Sequence, residues 1–150
     1  TSFLDAAYSV CVFCDNDDIG VNGAKDDLKT RGAEVIDCNE SHCIEQQLFA
    51  DLPWEAVQTM IAYAKENGFD RVVANLKHVK EDFIEDLLNV DSAEIRTILG
   101  KASVRKDKPW YKTVTHGEEL GEILMSYYNP DAKDCHIYNE ISRLIEWISR

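Results

Sequence analysis

Basic charge is scarce in this chain. Its 16 lysines and arginines stand against 28 aspartates and glutamates, a formal net charge of −12 over 150 residues. A self-sufficient nucleic-acid binder normally carries a basic stripe, and this balance has the wrong sign for one. Long hydrophobic runs are lacking too: none approaches the ~20 apolar residues needed to cross a bilayer, and no signal-peptide pattern opens the chain. No membrane contact is expected. Neither a Walker loop nor a Gly-rich dinucleotide turn occurs, so the segment itself is not expected to bind ATP or NAD. Internal repeats and low-complexity tracts are absent. The five cysteines are an odd number scattered through a chain without a secretory signal, which predicts free thiols in a reducing, cytoplasmic compartment.

What is present is ordinary for a globular domain. Hydrophobic residues make up 45% and charged residues 29%, which excludes a wholly disordered chain. The length suits one compact domain and is short for two. The acidic excess suits a protein that gathers carboxylates around metal ions. A strand is expected within ten residues of Thr1, so the sequence reads as a piece of something longer.

Residues 9–14 (SVCVFC) form a short β-rich run that stops at Asp15, as a strand buried on both faces of a parallel sheet would. Residues 15–23 (DNDDIGVNG) are a loop by composition, 24–31 are helix-competent with Gly32 as a C-cap signal, and 33–37 (AEVID) read as the next strand. This β-loop-α-β order implies a parallel α/β sheet, whose sites lie at the carboxyl ends of strands, where Asp15 falls. The remainder reads as mostly helical. Ile44, Leu48, Phe49 and Leu52 repeat at helical spacing, and Pro53 opens a helix that carries Trp54, Val57, Ile61 and Ala64 to a stop at Asn67-Gly68. Residues 71–79 (RVVANLKHV) are expected as one more strand and 83–88 as a short helix. Asp91 with Glu94, and Thr115 with Glu118, have capping-box spacing and place helix starts there, with a break at residues 107–109. The last helix puts Tyr138, Ile141, Ile145 and Ile148 on one stripe.

Among residues that could carry chemistry, Asp15-Asn16-Asp17-Asp18 directly after the strand is the strongest signal. Asp15 and Asp17 can converge on one divalent ion, which needs hard oxygen ligands. Carboxylates so clustered are costly to hold together without a cation or shared protons. An acidic turn is the other reading, since Asp and Asn are common loop formers. Glu45, in the first turn of its helix, by itself does no more than complement the helix dipole. Lys112, beside Trp110 and Tyr111, is by itself a solvated lysine next to a packing aromatic pair. Cys11 and Cys14 have the gap of a zinc knuckle, with Cys38, His42 and Cys43 further on, but strand positions three apart point to opposite faces. Small buried hydrophobes are the better description of these thiols. The four histidines form no recognisable spacing with a nucleophile.

Taken in order, these pieces resemble the C-terminal Toprim region of OLD-family (overcoming lysogenization defect) ATP-dependent endonucleases. Val12-Phe13-Cys14-Asp15-Asn16-Asp17 resembles the strand ending in the Toprim Asp-x-Asp motif, and Arg31-Gly32-Ala33-Glu34-Val35-Ile36 the turn and strand that follow. Ile44-Glu45 with Leu48-Phe49-Ala50-Asp51-Leu52-Pro53-Trp54 resembles the Glu-bearing helix and its Leu-Pro-Trp continuation. The stretch from Arg96 to Lys101, then Trp110-Tyr111-Lys112, Gly117-Glu118 and Leu120-Gly121, resembles the family's helical C-terminal extension. The resemblance implies an α/β fold: the C-terminal part of a Toprim-like parallel sheet over residues 1–79, followed by a mainly helical extension of the same domain over 80–150. It implies a nuclease using Mg²⁺ or Mn²⁺, as two ions that activate water and stabilise the leaving oxygen. Asp15 and Asp17 would hold metal, Glu45 would join the second ion, and Lys112 would act catalytically as a mobile point charge near the scissile phosphate. The role of Asp18 stays open.

The chain departs from the pattern in one respect. Toprim sites also use a glutamate from an earlier strand, and residues 1–8 leave no room for that strand and its helix. The ATPase portion is absent as well, so ATP would enter only through it. The implied partners are DNA, the upstream Toprim half, the ATPase portion and further copies of the chain as a dimer or higher oligomer, in phage defence or DNA repair. The segment alone is expected to be inactive, with basic DNA-binding surface supplied from elsewhere or by bound metal. Three rivals share the acidic loop. A haloacid-dehalogenase-type phosphatase also opens with strand-Asp-x-Asp, but position 19 is Ile and no later paired aspartates are expected at a strand end. A non-catalytic regulatory or assembly domain would make the carboxylates structural. A phosphoacceptor receiver does not fit the helix-rich second half.

Overall fold

The computed structural model describes residues 3–17, 20, 22–39 and 41–150. Among these, two short parallel strands and seven α-helices make a mostly helical α/β protein. Asp18, singled out above, lies outside the described residues. The chain divides into two compact units, one of Thr1–Ile44 with Asn129–Arg150 and one of Glu45–Tyr128.

In the first unit, β1 (Cys11–Cys14) is followed by α1 (Asn22–Thr30) and β2 (Glu34–Asp37). The strands pair in parallel with Cys11 opposite Glu34 and Cys14 opposite Asp37, and α1 supplies the crossover that parallel neighbours require. Gly23, expected in the loop, lies inside α1. The helix ends in a Schellman arrangement: Ala33 N–H reaches the Leu28 carbonyl, Gly32 N–H reaches that of Lys29, and Gly32 adopts φ +89°. Glycine takes that left-handed conformation without steric cost, so Gly32 sets where β2 starts. The expectation of a first strand buried on both faces is corrected. All four β1 residues are half-buried, because among the described residues β1 has β2 as its sole strand neighbour, whereas Val35 and Ile36 of β2 are buried. The last helix, α7 (His136–Ile148), covers β2 with Ile137, Tyr138 and Ile141. Its stripe outruns the four-residue strand, leaving Ile145 41% and Ile148 68% exposed. Polar contacts tie the same two elements: His136 Nε2 lies 2.8 Å from the Asp37 carbonyl, and Arg143 joins Glu34, Glu140 and the Val35 carbonyl.

The second unit contains α2 (Ile44–Asp51, from its second residue), α3 (Trp54–Glu66), α4 (Phe69–Val79), a 3₁₀ turn (Glu85–Asn89), α5 (Ala93–Ser103) and α6 (Val114–Tyr127). As expected, Pro53 caps the start of α3 and Asn67 its end. Residues 71–79 are helical, not a strand. Their Val72 and Val73 suggest β structure, but Val72, Asn75 and Leu76 form one buried face at helical spacing, and that period prevails. The segment expected as a helix at 83–88 is the 3₁₀ turn, with Phe83 and Leu88 buried. Two helix starts also shift. Ser92, not Asp91, caps α5 by receiving Ile95 N–H, and Thr113, not Thr115, caps α6 by receiving His116 N–H. Asp91 instead pairs with Arg96 at 2.6 Å. The same guanidinium donates to the carbonyls of Phe49, Ala50 and Leu52, satisfying orphan groups at the end of α2.

Candidate functional site

Asp15, Asn16 and Asp17 follow the last residue of β1, at the carboxyl end of the parallel pair. The loop is stitched down by polar contacts. Asp15 Oδ1 receives the N–H of Ile44, the first residue of α2, at 2.8 Å from 29 positions away. Asn16 N–H donates to the His42 carbonyl, Asn16 Nδ2 to that of Cys38, and its own carbonyl receives Ser41 N–H, each at 2.9 Å. Ser41 accepts a left-handed φ of 67° there. Asp15 and Asp17 remain exposed, and Asp17 makes no hydrogen bond or ion pair with the described residues.

The sequence reading overlooked Lys25. This lysine is only 4% exposed, and its ammonium sits 2.7 Å from the Asp15 carbonyl, 3.0 Å from Asn16 Oδ1 and 3.6 Å from Asp37 Oδ2. Two hydrogen bonds and an ion pair thus hold its ammonium beside the acidic loop. The signal available beforehand was weak: one lysine on the helix that follows the loop.

Burial disfavours the thiolate form of Cys14 and Cys38 nearby. Burial pushes the Cys38 thiol up to about 12, with the charge of Asp15 adding to it, and burial raises Cys14 as well. No disulfide joins the five cysteines. Neutral thiols are poor nucleophiles and poor metal ligands. Among the described residues, no three His, Cys, Asp or Glu side chains converge to hold a metal ion.

Glu45 and Lys112 belong to the second unit. Glu45 is half-buried in the first turn of α2, and its charge is felt at Tyr111, whose hydroxyl is pushed up first by burial and then by Glu45. Tyr111 donates to the Met60 carbonyl at 2.8 Å and stacks on Tyr63. Trp110 is completely buried, edge-on to Phe49. These anchors hold Lys112 at the surface, its N–H bonded to His116 Nδ1 at 3.1 Å. Its side chain lines a groove of about 620 Å³ together with Arg71 and Lys108, and with Asp70 and Asp107. The structure therefore keeps Asp15 and Asp17 on one loop of the first unit, and brings Glu45 near the aromatic anchor of Lys112 in the other.

No family model matches this chain, and neither a curated protein nor a solved structure matches it.

Proposed function

We propose that the chain is the Toprim-type part of a metal-dependent DNA endonuclease, working within a larger ATPase-nuclease and inactive as this segment alone. The observation that carries the reading is the position of Asp15 and Asp17: two exposed carboxylates at the carboxyl end of a strand in a parallel pair, where α/β proteins build their sites. Their chemistry fits Mg²⁺ or Mn²⁺, hard ions that take carboxylate oxygen. In number the fit is partial, because no third such side chain joins them among the described residues. The remaining ligands belong to the upstream Toprim half or to residues outside the described set. A bound ion would supply Lewis-acid stabilisation of the phosphate oxygens. Glu45, as ligand of a second ion, and Lys112, as a charge at the scissile phosphate, take their roles from the OLD-family resemblance. DNA, the ATPase portion and a second copy are the corresponding partners, and ATP acts only through that ATPase portion. The setting is the cytoplasm.

Asp15→Asn tests the reading cleanly. Asparagine caps a helix as well as aspartate, so the start of α2 and the melting temperature are retained. Mn²⁺ affinity measured by calorimetry on this chain falls about tenfold or more, and metal-dependent DNA cleavage by the full-length protein is lost. Equal Mn²⁺ affinity in both forms removes Asp15 from the site. That result would favour the second reading, a non-catalytic assembly domain, which has one observation behind it: Lys25 already gives the loop a cation.

A further inference from the structure

The chain is acidic overall, yet its positive charge is not spread evenly. Residues 101–112 (KASVRKDKPWYK) hold five basic side chains and one acidic one, a net of +4 from 5 − 1. The other 138 residues therefore carry −16, from −12 − 4. This basic stretch runs from the end of α5 to the aromatic anchor before α6, and it forms one wall of the groove at Lys112. The opposite wall is α4, which contributes Arg71.

Arg71 is the informative residue. Its Nε is buried and has no hydrogen-bond partner, and its Nη2 has only a long 3.4 Å contact to the Asn67 carbonyl. A buried donor left unpaired is costly, and Nη2 is only weakly engaged, so the guanidinium has bonding capacity to give a ligand when it turns toward the groove. The space around it is kept by Gly68: a Cβ there would stand 3.1 Å from Arg71 Nε and Nη2. Lys108 and Lys112 are exposed, and neither forms an ion pair among the described residues, Asp70 and Asp107 included.

The walls are fixed to each other by a completely buried amide. Asn75, one turn beyond Arg71 on α4, donates to the Lys108 carbonyl at 2.7 Å and to the Ala102 carbonyl at 3.0 Å, while its Oδ1 receives Arg105 at 3.3 Å. Trp110 N–H donates to the Ser103 carbonyl on the same stretch. The three cations are thus presented from a rigid frame, which reduces the ordering cost of binding.

We infer that this groove binds backbone phosphates of DNA, with Arg71 giving directed hydrogen bonds and Lys108 and Lys112 giving point charges. Arginine suits the first role because its planar fork matches phosphate oxygens, and the lysines suit the second. The inference rests on the nuclease reading for the choice of DNA, but extends it: Arg71 and Lys108 have no place in the motifs behind that reading. It also supplies from this chain the basic surface that the overall charge led us to expect from elsewhere.

The test is fluorescence anisotropy of a short labelled DNA duplex with this chain at low salt in EDTA, so that no divalent ion takes part. Arg71→Gln is expected to weaken binding about fivefold or more and to lower the salt slope by about one, and Lys108→Gln to act in the same direction. Lys29→Gln, an exposed lysine on α1 with the same loss of charge, leaves binding unchanged. Thermal melting checks each variant for folding. The inference is overturned if native chain fails to bind, if Arg71→Gln with Lys108→Gln binds as native does, or if Lys29→Gln weakens binding equally. A rise in melting temperature with millimolar inorganic phosphate that Arg71→Gln abolishes, with no DNA binding by the native chain, marks a free-phosphate site and overturns it too. Because metal is excluded, failure here leaves the Asp15 experiment standing, and failure of the Asp15 experiment leaves this one standing.

Discussion

The loop after β1 and the segment before α6 are positioned by opposite means. Asp15 and Asn16 are held almost wholly by polar contacts: a buried lysine, the carbonyls of Cys38 and His42, and a helix amide. Lys112 is held by large apolar volume, with Trp110 completely buried and Tyr111 nearly so. Polar anchoring is directional and responds to charge, whereas aromatic anchoring responds to volume and hardly to charge. On the proposed reading, an acidic loop that receives cations suits the first, and a basic groove that keeps its shape against a polyanion suits the second.

Removing volume from the aromatic anchor is expected to have the largest effect. Trp110→Ala should cost about 3–5 kcal/mol in urea unfolding, and Trp110→Phe clearly less, because phenylalanine also removes an indole N–H that is buried without an acceptor. A loss below about 1 kcal/mol for the alanine variant would mean that volume does not fix this segment. Next comes the polar anchor. Lys25→Met keeps the length of the side chain but strips a donor from Asn16, Asp37 and the Asp15 carbonyl, with an expected cost of about 2–3 kcal/mol. If that variant unfolds at the native urea midpoint, the contrast between the two anchors fails.

A pH dependence comes last, because it is confined to alkaline conditions. Cys38 has its folded-state pKa raised to about 12, above the ordinary value that the unfolded chain would show. Its contribution to stability is therefore intact below that ordinary value and is lost as pH rises toward the folded value. Unfolding followed from pH 8 to 11 should lose up to about 1.4 kcal/mol per pH unit through this thiol. Cys38→Ala should flatten the curve. An unchanged slope would assign the alkaline loss to other groups, Tyr111 among them.

The strand-loop-helix-strand opening was legible because each boundary has a local chemical cause: Gly32 with its positive φ and Asp15 ending an apolar run, then Pro53 and Asn67 at the ends of α3. The α4 segment was misread because a Val-Val pair satisfies both periods over a few residues, and only tertiary burial of Val72, Asn75 and Leu76 decides between them. Capping-box spacing found α5 and α6 but not their first residues, since Asp91 is engaged by Arg96 and the neighbouring Ser92 takes the cap. Of the candidate site, Asp15 and Asp17 were visible as a motif. Lys25 was not, because burial of a lysine depends on oxygens contributed by β1, its loop and β2 together. The basic stretch at 101–112 was hidden by averaging, as a whole-chain charge of −12 conceals a local excess of the other sign.

The order in which the chain is made adds a constraint. The first unit is interrupted: its sheet lies within Thr1–Ile44, but the helix covering β2 comes from Asn129–Arg150. During synthesis the two strands emerge early and wait, with Val35 and Ile36 lacking the cover of α7, until the intervening 84 residues of Glu45–Tyr128 have been made. The helical unit, being contiguous, can close meanwhile. The strand pair therefore acquires its α7 cover only after the helical unit has been made, whereas every partner of Asp15 and Asn16 already lies within residues 25–44.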